Sequence, residues 1–154
     1  MATQTQEVRG GGSETKKALI EGLNTDLAHE WQAVIQYTTF AALLTGHARP
    51  ELRQFFQSEV QEELGHAQFL ADKVTALGGQ PVTVPAEVPA GRNNREMVEL
   101  ALEAERETIR RYSERIDQAD AYGDVGLRVR LEDIVSEETQ HKEDMERILA
   151  DWQG

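Results

Sequence analysis

The sequence contains no cysteine. That excludes disulfides, thiolate zinc sites, iron–sulfur clusters and any rubredoxin-type iron centre. Proline is scarce, with four residues, three of them between positions 80 and 92. Long stretches are therefore free to be helical. No apolar run approaches the roughly 18 residues that a membrane span requires, so no membrane partner is expected. Positive charge is also in short supply. Sixteen Lys and Arg stand against 28 Asp and Glu, for a net charge of −12, which argues against nucleic acid as a partner. The opening residues, MATQTQEVRGGGSET, lack the basic start and apolar stretch of a signal peptide. A flexible tail over residues 1–13 and a cytoplasmic location are expected.

What is present is helical periodicity, punctuated by glycine and proline. At 154 residues the chain is expected to form one domain with a real core. A first helix is expected from about Ser13 to Thr45, ended by Gly46-His47-Ala48-Arg49-Pro50. A second runs to about Leu77 and stops at Gly78-Gly79, with Pro50 suited to its first turn. Residues 80–92, QPVTVPAEVPAGR, form the long connection. Asn93 followed by Glu96 reads as a helix start, with Asn capping and Glu reaching back. The third helix then runs to about Ala121, and a fourth from about Val125 to Asp151. Short breaks make two antiparallel hairpins, and the long connection can cross the bundle and leave helices two and three parallel. The fold class expected is all-α, a four-helix bundle over residues 14–152.

Apolar residues recur at steps of three and four along each helix, the seam spacing of packed helices. Each seam is interrupted near its middle by Glu30, by Glu59, Glu63 and His66, by Glu105, or by Glu138 and His141. Unpaired carboxylates in a core are costly, and the seams carry no Lys or Arg to balance them. A pair of metal ions would supply the charge, with histidine nitrogen completing the coordination. Glu30 to Glu63 is 33 residues, and Glu105 to Glu138 is also 33, each interval centred on a hairpin turn. Both pairs therefore sit at matching heights, about 25 Å from the turns at 1.5 Å rise per residue. Each histidine follows its glutamate by three residues, one turn along the same face. A shift of 75 residues carries Glu30, Tyr37, Glu63 and His66 onto Glu105, Tyr112, Glu138 and His141.

This pattern resembles the ferritin-like di-iron carboxylate proteins, in which two helices give one glutamate each and two give Glu-x-x-His. The stretch Glu30-Trp-Gln-Ala-Val-Ile-Gln-Tyr37 is similar to the first helix of bacterioferritins, and Leu77-Gly-Gly-Gln-Pro81 to the end of their second. The resemblance implies two iron ions, bridged by Glu63 and Glu138. Glu30 with His66 would cap one ion, and Glu105 with His141 the other. Manganese suits the same donors. Haem is not expected, because haem-binding relatives carry methionine directly after the second-helix glutamate, where Leu64 stands here. With thirteen residues after His141, the fifth helix of 24-subunit ferritins is not expected.

The implied activity is ferroxidase chemistry, oxidation of Fe(II) by O2 or peroxide in iron storage or detoxification. The alternative is a rubrerythrin-like peroxidase or oxygenase served by a separate reductase. A DNA-compacting assembly fits the acidic balance poorly. Tyr37 and Tyr112, two turns from Glu30 and Glu105, are expected to hydrogen-bond ligand carboxylates. Glu59 has Ile134 as its shift-related counterpart, an asymmetry that suggests a role in guiding an incoming ion. Trp31, Ile35, Phe40 and Leu43 form a second apolar stripe on the first helix that needs a cover. A homodimer or larger homo-oligomer, packed through helices one and two, is expected.

Overall fold

The computed structural model describes residues 4–152, and the side chains of 12–152. It is a four-helix bundle: α1 (Gln4–Leu43), α2 (Arg49–Ala76), α3 (Asn94–Tyr122) and α4 (Val125–Ala150). Three of the helices match their expected limits to within about two residues. The exception is the start of α1, at Gln4 rather than near Ser13. Of the tail expected over 1–13, Met1–Thr3 lie outside the described residues, as do the side chains up to Gly11.

Local chemistry sets the ends. At the close of α2, Gly78 has φ +86°, a left-handed conformation that costs glycine little. Gly78 N then donates to Thr75 O and Gly79 N to Val74 O, both at 2.9 Å, satisfying carbonyls that the helix leaves over. At the start of α3, Asn93 Oδ1 accepts from Glu96 N at 2.9 Å. The Glu96 carboxylate reaches back as expected, but to Arg92 N (2.7 Å), one residue before the cap. Asp124 caps α4, its Oδ1 accepting from Leu127 N at 2.9 Å.

The crossover runs along α1. Asn24 Nδ2 donates to Gln80 O, and Asn24 Oδ1 accepts from Val82 N, each at 3.0 Å. Ala86 N donates to Ala28 O at 2.8 Å. At the far end, Asn94 brackets Thr45, accepting from its N (3.1 Å) and donating to its O (2.7 Å). The connection therefore travels the length of the bundle. It leaves α1 antiparallel to both α2 and α3, and α2 parallel to α3.

The core falls into two parts. Leu19, Leu23, Leu27, Leu70, Val74, Leu127, Leu131 and Ile134 pack at one end. Phe40, Leu44, Leu52, Phe56, Met97, Val98, Leu102 and Met145 pack at the other. Each such side chain contributes about 1.5–3 kcal/mol on burial. Between the two parts lies a polar layer, which the apolar ends hold in register.

The second apolar stripe on α1 is narrower than expected. Phe40 is buried, edge-on to Phe56 at 5.9 Å, and belongs to the core. Trp31 is half-buried under the crossover, its Nε1 donating to Val82 O at 3.3 Å. Ile35 (42% exposed) and Leu43 (52%) remain open, joined by Leu64 (39%) on α2.

Candidate metal centre

Each helix delivers its share of the polar layer from mid-length. Glu30, Tyr37, Glu59, Glu63, His66, Glu105, Tyr112, Glu138 and His141 are all buried. Two groups of potential ligand atoms lie within 4.8 Å of one another: Glu30, Glu63, His66 and Glu138, and Glu59, Glu63, Glu105 and His141. Glu63 is common to both, which is the geometry a bridging carboxylate requires. Glu138 belongs to the first group, and its Oε2 lies 3.2 Å from His141 Nδ1 of the second. Glu30 falls with His66 and Glu105 with His141.

Both imidazoles are oriented from outside. The Nδ1 of His66 faces the cluster, 3.1 Å from Glu63 Oε2 and 3.0 Å from Glu138 Oε1, while its Nε2 lies 2.8 Å from Glu137 Oε2. The Nδ1 of His141 is 2.8 Å from Glu59 Oε2, and its Nε2 is 3.0 Å from Glu62 Oε2. A carboxylate on the outer nitrogen fixes the ring and raises the basicity of the inner one. Glu62 and Glu137 are absent from the seam pattern. The 75-residue shift does relate them to each other, so a sequence signal exists.

The tyrosines bind across the bundle. Tyr37 Oη donates to Glu105 and Tyr112 Oη to Glu30. The antiparallel run of α1 against α3 exchanges the partners, so each tyrosine serves the carboxylate of the opposite helix. Glu59 stands in the second group. With Ile134 as its counterpart, the two groups are chemically unequal.

The electrostatics show a site assembled for positive charge. Burial, then repulsion from Glu138 and other carboxylates, lifts Glu63 and Glu105 well above the usual range. Burial likewise raises Glu30 and Glu59. Burial acts to raise Glu138 too, but the proton-bearing groups around it, Glu105, His141 and His66, outweigh it and hold that carboxylate low. Burial opposes charge on the histidines, yet the carboxylates around them win, pushing His66 to about 9 and His141 to about 11. Even so, the donors do not satisfy one another. Glu59 Oε2 and Glu138 Oε1 are near imidazole nitrogens but off the line a hydrogen bond needs, and neither has a hydrogen-bond partner. Oxygen-rich donors with two imidazoles and orphaned buried oxygens fit hard or borderline metal ions.

A second buried polar set lies a turn away. Asp26 is fully buried, with Arg115 Nε donating to Oδ2 at 2.7 Å and Arg111 Nε 3.7 Å from Oδ1. The seams thus carry no cation, but the space between α1 and α3 holds two.

Known proteins share this fold. The chain is 46% identical to a ferritin-like, diiron-carboxylate protein of Bacillus anthracis, with a TM-score of 0.87 over 88% of this chain and 97% of that one. It is 28% identical to the dodecameric thioferritin, a bacterioferritin-related protein, of Bacteroides fragilis (TM-score 0.80; 88% and 86% covered). The bacterioferritin of Streptomyces coelicolor is 30% identical over 132 residues, 85% of this chain and 79% of the relative. A family model for the ferritin-like domain matches residues 20–154. With four helices, one long crossover and a shared glutamate between two ligand groups, the chain belongs to the ferritin-like family.

Proposed function

We propose that the chain is a ferroxidase of the ferritin-like class that takes up Fe(II) in pairs, oxidises it with O2 or peroxide, and passes it into iron storage or detoxification. The observation that carries this reading is the pair of ligand groups sharing Glu63 inside the bundle. The bacterioferritin relatives and the diiron-carboxylate neighbour support it. Two Fe(II) bound side by side supply the two electrons that reduction of O2 to peroxide, or of peroxide to water, requires. The protein's part is placement. Glu63 and Glu138 span the two positions, Glu30 with His66 and Glu105 with His141 close them, and Glu59 adds a carboxylate to one side. Tyr37 and Tyr112 hold Glu105 and Glu30, while Glu137 and Glu62 hold the imidazoles. Manganese remains the other metal these donors suit.

Aerobic Fe(II) loading of the metal-free protein, followed by gel filtration and an iron count per chain, tests the reading. Retention far above two ions in a large particle is expected. A plateau at two would overturn storage, and no retention would overturn the site. A homo-oligomer, at least a dimer through the face bearing Ile35, Leu43 and Leu64, is part of this proposal. So is the cytoplasm as its setting; no helix of the described residues is long and apolar enough to cross a membrane. We also propose that no haem is bound, since Leu64 has no ligand atom. Absence of a Soret band from protein produced with excess haem is the expected result.

The same groups set a pH dependence. Without metal, pKa values of about 9 and 11 keep protons on His66 and His141, and the raised values of Glu30, Glu63 and Glu105 favour their protonated forms. Metal must displace those protons, so affinity falls as pH falls. Each proton released changes the binding constant tenfold per pH unit. Competition titrations with Zn(II) between pH 5.5 and 8 should therefore give a slope of log K against pH above one. A flat profile would sink the assignment.

A further inference from the structure

A cleft of about 380 Å³ opens between α1 and α3 beneath the crossover and reaches the metal-site carboxylates Glu63 and Glu105. Its lining includes Glu87, Glu103 and Glu107, and Gln36 of α1. Gln36 is the unusual member. It is fully buried, and neither its Oε1 nor its Nε2 has a hydrogen-bond partner. Buried amides are ordinarily satisfied, so one left open on both atoms is held for something transient. The guanidinium in the lining, Arg111, stands 3.7 Å from Asp26 and donates to Thr108, so its charge is engaged. On the opposite side of the bundle, by contrast, Glu62 and Glu137 cover the outer nitrogens of both histidines.

We propose that this cleft is the path by which divalent cations reach the centre, with Gln36 as a way-station between the acidic mouth and the ligands. The inference rests on the dinuclear reading above. Glu87 is exposed at the mouth. Glu103 and Glu107 meet Arg106 at 3.7 Å and Arg110 at 2.9 Å only in exposed pairs on their own helix. The mouth therefore keeps an acidic excess that raises the local concentration of cations. The amide carbonyl then offers a neutral oxygen donor to an ion that has shed part of its hydration. A neutral donor suits passage better than a carboxylate, because an ion must be held loosely enough to move on. Glu105 and Glu63 lie at the inner end to receive it.

Stopped-flow uptake of Co(II) by the metal-free protein, read by its visible absorption bands, tests this without any turnover. Gln36→Leu is expected to slow uptake about tenfold while two ions still bind per chain at equilibrium. The surface double variant Glu87→Lys/Glu103→Lys, which does not put the fold at risk, is expected to slow uptake several-fold and flatten its dependence on ionic strength. Wild-type rates in both variants would overturn the path. A lower ion count in Gln36→Leu would overturn it as well, by making Gln36 part of the binding site. If the unaltered protein binds no Co(II) at all, the metal-centre reading fails first, and the two failures are told apart by that control.

Discussion

Replacing Glu63 with glutamine is expected to abolish paired metal binding and leave the metal-free fold as stable as before, whereas Glu138→Gln is expected to damage both. The two glutamates are related by the 75-residue shift and would play the same bridging part, yet their metal-free environments are opposite. Burial and three neighbouring carboxylates lift the Glu63 pKa and so favour its neutral form, which glutamine imitates. Glu138 is held ionised, with His66 Nδ1 3.0 Å from one oxygen and His141 Nδ1 3.2 Å from the other. Neutralising it leaves two buried imidazolium groups without their shared partner. Loss of one member of a buried ion pair costs roughly 3–5 kcal/mol, and deprotonation of a histidine relieves part of that, leaving a loss on the order of 3 kcal/mol. At roughly 2–4 °C per kcal/mol for a chain of this size, the melting temperature of Glu138→Gln should fall by about 6–12 °C. Thermal unfolding of the metal-free variants, paired with Co(II) stoichiometry, checks both halves. Equal stabilities would refute the asymmetry, and two ions still bound to Glu63→Gln would refute bridging.

That asymmetry marks how far the sequence can be read. Glycine and proline at 46–50, 78–81 and 123 delimit helices whose seams alternate in threes and fours, so the bundle is legible from local rules. The equal spacing of Glu30–Glu63 and Glu105–Glu138 places the carboxylates at one height, again by counting alone. Counting gives height on a helix but not the partner across it, which is why the tyrosine contacts emerge exchanged between α1 and α3. Glu62 and Glu137 sit one position before a seam glutamate, where solvent is the default expectation. Only the antiparallel approach of α2 and α4 turns them toward the opposing histidines. Gln36 and Asp26 lie off the seams as well, and their burial depends on how closely α3 and the crossover approach α1. Gly10-Gly11-Gly12 argues against a helix before Ser13, but α1 is helical through it from Gln4. Phe40 and Trp31, apparently on a free face, are covered by Phe56 and by the crossover residue Val82.

Truncating Asp26 is the second change with a large expected effect, and it acts on stability rather than on metal. Asp26 ties α1 to α3 through Arg115 and Arg111, four residues before Glu30 on one helix and three beyond Tyr112 on the other. The guanidinium of Arg115 fits because position 22 is glycine; a Cβ there would collide with it. Burial raises the Asp26 pKa even though both arginines act to lower it. The pair as a whole is therefore a poor source of stability. Removing half of it is worse, because Asp26→Ala leaves Arg115 (5% exposed) and Arg111 (8%) buried without their carboxylate. The expected loss is about 3–5 kcal/mol, with Co(II) still binding at two per chain once the protein is folded. A triple variant, Asp26→Leu with Arg111→Leu and Arg115→Met, replaces the charges with apolar bulk and should recover most of that loss, as buried ion pairs commonly allow. Urea unfolding of the metal-free variants measures each step. A loss below about 1 kcal/mol for Asp26→Ala would mean the guanidiniums find water or new partners and are not held by Asp26. Failure of the triple variant to recover would instead show that the ion pair specifies how α1 and α3 meet, beyond the space it fills.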